Sequence, residues 1–261
     1  MPNPLEELRA RIAELNADLL FVATAFQLRP RLAEILDWGR SKEIAVLAQR
    51  FMDVKDARPE GVFGPLLVRL MASFERYLRL LIGESVDFRV TAAKTFDDLP
   101  KKLVNRNLIL TGRILANLEN QRDYLTFDFE ELVQNLASCK AGSGSFALNS
   151  PVFSATVLSV NPTGIDKALE NIDFAGCWDS VGTDSKLEEI LGTKGARDTG
   201  IQAAEKLKEL SRWRNHLAHG GDNVDIPYVR LRDAIDFVAA FSTALDQTVK
   251  KHLKNAVKAR T

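Results

Sequence analysis

Apolar residues recur three and four positions apart along most of the chain, which is the spacing of amphipathic helices. The first series predicts a helix that ends before Pro30, because proline disfavours helical backbone in the residue ahead of it. A second helix is predicted over residues 32–52, and the charged segment 55–61 is typical of a linker. Residues 1–58 are therefore expected to form an N-terminal helical hairpin.

The same spacing predicts a strong helix from residue 63 that ends at Gly83, and a long final helix over the stripe 231–253 that Asp225 can cap. Shorter helices are predicted over three ranges, 99–119, 129–136 and 202–216. The pattern as a whole indicates an all-α bundle, with a main helical domain over residues 62–258.

The middle of the chain, about residues 127–183, is predicted to be an irregular insertion in this domain. Residues 150–160 are β-branched and apolar, as in a short strand, although the pattern offers that strand no partner. Ser185 and Glu188 have the spacing of a capping box at the start of a short helix, and Gly192 is expected to end that helix.

Composition narrows the class of protein. The 261 residues include 35 Lys and Arg and 35 Asp and Glu, so the formal net charge is zero, which argues against a broad, non-specific nucleic-acid coat. Two cysteines, Cys139 and Cys177, give neither a disulfide framework nor a metal knuckle. The N-terminus lacks the pattern of a secretory signal, and the longest apolar run, residues 19–26, is too short to span a bilayer. A cytoplasmic location without membrane contact is expected.

The strongest chemical signal lies in residues 212–221, which hold two of the three histidines, two arginines, an asparagine and a glycine pair. Asn215 and His219 are four apart and share a helix face, and the long side chain of Arg214 can reach the same side. Gly220 and Gly221 are expected to stop the helix and to let a ligand come close.

These residue types suit cleavage of RNA by its own 2′-hydroxyl, a reaction that needs no cofactor. An imidazole such as that of His219 can give or take a proton near neutral pH. The planar guanidinium of Arg214 can clamp two phosphate oxygens and stabilise the charge of the transition state, and Asn215 can orient either group. One histidine cannot comfortably be both acid and base in one turnover, so two facing copies of the motif are favoured.

Three other residues are candidates for binding the substrate. Arg212 can contact a phosphate, His216 can contact the RNA or support the site, and Glu75 can hydrogen-bond to Arg214 if its helix packs against the motif. Glu75 also has a competing partner, Arg79, four residues later. His216 and His219 lie three apart, but no third ligand with suitable spacing follows, so no metal is expected.

The sequence Arg-Asn-His-Leu-Ala-His-Gly resembles the signature of the HEPN superfamily, in which an arginine and a polar residue precede a histidine. Arg214, Asn215 and His219 match it position by position. The ending Ala-His-Gly is similar to the bacterial RiboL-PSP-associated and MAE-type HEPN groups, and the helix around Glu75 resembles their first helix. The resemblance covers roughly residues 63–253 and leaves the N-terminal hairpin outside.

The resemblance implies a four-helix core, a homodimer with a composite active site, and metal-independent endoribonuclease activity on RNA. It implies a toxin or an effector of phage defence, and it leaves room for a neutralising antitoxin or another defence-system protein as a partner. Some members of the superfamily only bind nucleotides or partners, so a non-catalytic binding module is the alternative. A third hypothesis is that the protein is a purely structural helical bundle that serves oligomerisation.

Overall fold

In a computed structural model, the protein is described over residues 3–37, 46, 60–117, 127–219 and 226–258. This part of the chain is all-α, as predicted, and contains ten α-helices, one 3₁₀ helix (Phe96–Asp98) and no strand. The α-helices are α1 (Pro4–Asp37), α2 (Glu60–Ala92), α3 (Lys101–Leu115), α4 (Phe129–Ser138), α5 (Ser150–Ser154), α6 (Pro162–Asn171), α7 (Cys177–Val181), α8 (Ser185–Leu191), α9 (Ala196–Ala218) and α10 (Tyr228–Lys258).

The first helix is longer than its sequence predicts. Helix α1 continues through Pro30 to Asp37, so the prediction that it ends before the proline is wrong. A proline removes one main-chain hydrogen bond and can bend a helix without ending it. The predicted second helix over residues 32–52 overlaps the end of α1, and its remainder, like most of the predicted linker, lies outside the described residues.

Helix α2 is the central element, packing against α1, α5, α9 and α10. The prediction that this helix ends at Gly83 is wrong, because it continues to Ala92. The glycine serves packing instead, because a Cβ added there would lie 2.8 Å from Ser154 Oγ, and that hydroxyl donates to the Arg79 carbonyl at 2.8 Å. Both contacts hold α5 tightly against α2.

An aromatic cluster joins these helices inside the bundle. The Phe241 ring of α10 meets Phe74 of α2, Phe237 of its own helix and Trp178 of α7, with ring centroids 5.6–5.8 Å apart. The apolar stripe of α1 is buried in the same core, at Leu5, Leu8, Ile12, Leu15 and Leu19. Burial of large aromatic rings is a main source of stability in such a core.

The middle of the chain, predicted to be an irregular insertion, contains short helices joined by non-helical segments. Residues 150–160 form α5 and an irregular segment, so the predicted strand is wrong. Pro151 stands in the first turn of α5, where proline is favoured, and Val152 and Phe153 are buried. Buried Asn149 ties the region together, since its main-chain N–H donates to Asn107 Oδ1 at 2.9 Å and its side-chain amide donates to Thr111 Oγ1 at 3.1 Å.

The predicted start of α8 is off by one residue. Asp184, rather than Ser185, is the N-cap, and its carboxylate accepts from the Leu187 N–H at 2.8 Å. Glu188 accepts from the Gly195 N–H at 2.7 Å instead of closing a capping box. Gly192 ends the helix in the left-handed conformation with φ 63°, as predicted.

Two glycines let α9 cross the end of α7 at close range. A Cβ on Gly200 of α9 would lie 2.5 Å from the Trp178 carbonyl oxygen, and one on Gly182 would collide with the carbonyl oxygen of Ala196. The main chains therefore touch directly, with no room for a side chain between them. This crossing fixes where α9 lies and hence where its far end is presented.

Candidate functional site

The motif occupies the last two turns of α9 and faces outward. Arg212, Asn215, His216 and His219 are exposed, whereas Arg214 is partly buried. His219 is the C-cap residue, and its main-chain N–H donates to the Asn215 carbonyl at 3.2 Å. The predicted stop at Gly220 and Gly221 and the predicted cap at Asp225 lie outside the described residues.

The structure brings Arg214 and Asn215 together. Arg214 Nη1 donates to Asn215 Oδ1 at 3.1 Å, so the guanidinium turns towards the face that carries the asparagine. Arg212, Asn215 and His219 follow one another at intervals of three and four on the exposed side of α9. Within the described ranges, the His219 imidazole forms no hydrogen bond, which leaves both ring nitrogens available to a ligand.

The start of α2 supports this end of α9 and also contacts the start of α10. Leu217 packs so closely on α2 that a Cβ added to Gly64 would lie 3.1 Å from its Cδ2. Phe63 of α2 meets Tyr228 of α10 edge to face, with ring centroids 6.3 Å apart. Leu217 thus anchors the turn from inside, while the polar motif residues stay on the outside.

Glu75 lies elsewhere. Its carboxylate pairs with Arg79 at 2.5 Å, which is the competing use that the sequence suggested. Glu75 follows Gly64 by eleven residues, or about 16 Å along α2. The structure therefore gives Glu75 a place in an ion pair of α2 and does not bring it to Arg214.

The motif end of α9 carries positive charge that no described carboxylate neutralises. Arg212 and Arg214 form no ion pair with any described acidic side chain. Two guanidinium groups without a described acidic partner lie close together at this one helix end. Such a surface is suited to an anionic ligand.

Trp213 is partly buried, and two cations lie over its ring. Lys206 Nζ lies 5.8 Å and Arg230 Cζ lies 5.5 Å from the centre of its ring. No spacing rule pairs Trp213 with Arg230, because the two residues are on different helices. One signal was nonetheless present, namely that the first turn of α10 contains no acidic residue.

Other clefts lie away from the motif. One of about 340 Å³ lies between the C-terminal ends of α2 and α10 and is lined by Arg89, Lys94 and Asp98. Another of about 450 Å³ lies between α8 and α10, with Asp184 and Asp236 at its rim. Across the described ranges, no group of three His, Cys, Asp or Glu side chains is arranged to hold a metal ion.

The third histidine, His252, belongs to the packing of α10. Its ring stacks on Phe174 at 4.6 Å between centroids, and its Nε2 lies 3.1 Å from Arg89 Nη2 and 3.0 Å from the Asp173 carbonyl oxygen. Burial first, and the positive charge of Arg89 second, lower the pKa of His252 below its ordinary value. Protonation is therefore less favourable in the folded protein than in the unfolded chain.

This depressed pKa predicts a pH-dependent stability. Below about pH 6.5 the unfolded chain binds a proton at His252 more readily than the folded protein does, so the free energy of unfolding should fall as pH falls. The slope should stay well below the one-proton limit of about 1.4 kcal/mol per pH unit, because the ring is only partly buried. Urea unfolding of wild type and His252→Gln from about pH 7 to pH 5.5 checks this. Equal slopes for the two proteins would contradict it.

A comparison with protein families identifies the fold more closely. The family model described as RiboL-PSP-HEPN matches residues 39–251, which is well over half of the chain. The chain belongs to this family. No curated protein and no solved structure matches it.

The extent of the match corrects one expectation about the RiboL-PSP-HEPN region. The match begins at residue 39, so part of the segment ahead of α2, which the residue pattern placed outside the resemblance, falls inside it. Helix α1 precedes the match, and the motif on α9 lies within it. RiboL-PSP-HEPN membership points to a nuclease or RNA-related function. Among the described helices, each is too short or too polar to cross a membrane.

Proposed function

We propose that this RiboL-PSP-HEPN protein is an endoribonuclease that cleaves RNA through attack of the 2′-hydroxyl on the adjacent phosphate. The observation that carries the proposal is the exposed group Arg214, Asn215 and His219, whose positive charge no described carboxylate neutralises. Family membership supports an RNA-related role independently of this geometry.

The residues divide the reaction between them. The 2′-oxygen gives up its proton and forms a bond to phosphorus, while the bond to the 5′-oxygen breaks and that oxygen takes up a proton. His219 serves one of these proton transfers. Arg214 binds the non-bridging oxygens and stabilises the charge that develops on them. Asn215, which accepts from Arg214, holds the guanidinium in place. Arg212 and His216, both exposed on the same end of α9, bind flanking parts of the RNA.

The second proton transfer requires a second protomer. One exposed histidine on a helix end serves one transfer, so two motifs facing across a dimer axis supply an acid and a base. Apolar side chains are exposed next to the motif, at Val62 in the first turn of α2 and Val229 in the first turn of α10. Such side chains support a protein–protein contact around the site. We therefore propose a homodimer with one motif contributed by each chain.

The experiment uses purified protein, a labelled oligoribonucleotide and a chelator. Cleavage that persists with chelator and leaves a 2′,3′-cyclic phosphate is the expected result. A matched oligonucleotide with a single 2′-deoxy sugar at the cleavage position should resist the enzyme, because the nucleophile is missing. Cleavage that stops with chelator, or that proceeds at the deoxy position, would overturn the proposed reaction.

The homodimer has its own test. Sedimentation should show a dimer at micromolar concentration, and the cleavage rate per protomer should fall on dilution in parallel with dissociation. A rate per protomer that stays constant where the protein is monomeric would exclude a composite site. Exposed Val229→Asp should weaken both association and cleavage, whereas Leu108→Asp, similarly exposed on α3, should change neither.

A toxin or phage-defence role follows if the enzyme acts on cellular RNA. Expression in a bacterium should then stop growth with the motif intact and not with His219→Ala. RNA or nucleotide binding without turnover would favour the alternative, a non-catalytic binding module. In that case wild type and His219→Ala would leave cellular RNA equally intact.

A further inference from the structure

Arg230 presents its charge to the surface beside the motif. The residue is exposed, and its guanidinium carbon lies 5.5 Å from the centre of the Trp213 ring. A guanidinium held over an aromatic face by a cation–π contact uses none of its N–H groups as conventional hydrogen-bond donors in that contact. Arg230 forms no ion pair with any described carboxylate. It is therefore held in place by the ring while its donors stay available.

The position of Arg230 is not explained by helix stability. It lies in the first turn of α10, where the helix dipole favours acidic side chains and disfavours cations, and that turn has no acidic residue. Two nearby cations behave differently. Arg232, two residues later, contacts Asp236 at 3.2 Å. Lys206, on the same tryptophan ring, contacts Glu209 at 3.1 Å. Of these three cations, only Arg230 carries a charge that is not balanced by a described acid.

The positions of residues around α9 show where Arg230 lies relative to the motif. Trp213 and His216 are three apart and occupy neighbouring positions on one flank of the helix, whereas Asn215 and His219 occupy the next face. Arg230, which lies over the Trp213 ring, thus extends the flank that carries His216. It stands beside the reacting groups rather than over them.

We propose that Arg230 is a positioning residue that binds a backbone phosphate of the RNA next to the scissile one. The inference rests on the proposed RNA cleavage. It adds the path of the bound strand, which runs from His219 past His216 to the first turn of α10. The ligand is recognised through its phosphate, without a base-specific contact. Trp213 supplies the platform for the guanidinium and is not itself a base-stacking residue.

Binding is measured with a labelled single-stranded oligoribonucleotide and protein carrying His219→Ala, so that no RNA is consumed. In this background Arg230→Ala should raise the Kd about three- to tenfold, the order expected for one charge-assisted contact. The slope of log affinity against log salt should fall by about 0.7, the value for one phosphate contact on a single strand. Arg230→Lys, which keeps the charge but not the planar fork, should keep the slope and recover part of the affinity.

Two variants serve as matched controls. Arg232→Ala removes an arginine from the same helix, and Lys206→Ala removes a cation from the same ring, yet both charges are already paired. Each should leave the Kd and the salt slope unchanged. In the active background, Arg230→Ala should raise KM and leave kcat unchanged. An unchanged Kd and slope for Arg230→Ala, or an equal loss in either control, would overturn the assignment.

The outcomes separate this inference from the proposed function. If RNA is cleaved but Arg230→Ala binds it like wild type, the reaction stands and the role of Arg230 is refuted. If RNA is bound through Arg230 but never cleaved, the role stands as a binding contact and the endoribonuclease proposal fails. If wild type does not bind RNA at all, both fail.

Discussion

Replacing His219 by alanine is expected to lower the rate of RNA cleavage by about 10²–10⁴-fold, the usual contribution of a general acid or base. Because the His219 side chain is exposed at the C-cap of α9, its removal should leave the fold intact. Single-turnover rates with saturating protein measure the chemical step directly. Arg214→Ala should cause a loss of similar order, and Arg214→Lys should recover little, since a lysine cannot bridge two phosphate oxygens.

Lys208→Ala is the matched control for the motif variants. Lys208 lies on the exposed side of the same helix, three turns before His219, and pairs with Glu205 at 3.1 Å. The Lys208→Ala variant should have the same RNA cleavage rate and the same melting temperature as wild type. If His219→Ala and Arg214→Ala cleave RNA as fast as wild type, the proposed roles are wrong. If they lose activity only together with their helical content, the loss reports folding and not chemistry.

Replacing Gly200 by alanine is expected to lower the free energy of unfolding by about 1–3 kcal/mol, the range for overpacking a filled interior. The added Cβ would lie 2.5 Å from the Trp178 carbonyl oxygen and 2.9 Å from its carbonyl carbon. Both are main-chain atoms, so the clash cannot be relieved by turning a side chain. The helices α7 and α9 must move apart, and urea unfolding measures the result.

Gly112→Ala is expected to change the free energy of unfolding in the opposite direction, although it too replaces a glycine inside a helix. Gly112 is also a helical glycine, in α3, but a Cβ there meets nothing within 4 Å. Alanine should therefore stabilise the protein by about 0.5–1 kcal/mol, because it reduces the freedom of the unfolded chain. A Gly200→Ala protein as stable as wild type would show that the two helices are not held at this distance.

Much of the fold could be predicted because local spacing carries it. The stripes of α2, α9 and α10 mark one face of each helix, and burial confirms that face at residues such as Phe74, Leu207 and Phe241. The cap at Gly192 was likewise local, since a left-handed residue ends a helix whatever surrounds it. The all-α class follows from these elements alone.

The failures come from residues whose role depends on a distant partner. A glycine such as Gly83 is typical of a helix end, but here the absence of a side chain leaves space for Ser154 to pack against α2. The apolar run after Pro151 has the composition of a strand, but it forms a helix and a turn whose apolar residues are buried against α2. Neither contact can be seen in local sequence.

The candidate site shows the same division. The length of its side chain predicted that Arg214 could reach Asn215, and the two are hydrogen-bonded, whereas His219 forms no hydrogen bond with either in the described part of the chain. Glu75 was proposed from its type and helix, and the structure pairs it with Arg79 instead. Arg230 was missed because only the tertiary fold, in which α9 and α10 both pack on α2, brings it to Trp213.

The final hydrogen bond of α9 runs from the His219 N–H to the Asn215 carbonyl, so it spans the same two residues that carry the proposed chemistry. Helix ends fray more easily than helix centres, and the loss of this single bond would let the imidazole swing away from the asparagine. In the proposed reaction, catalysis thereby depends on one turn of backbone order. A molecule that binds or loosens that turn would change the proposed activity without touching the reacting groups.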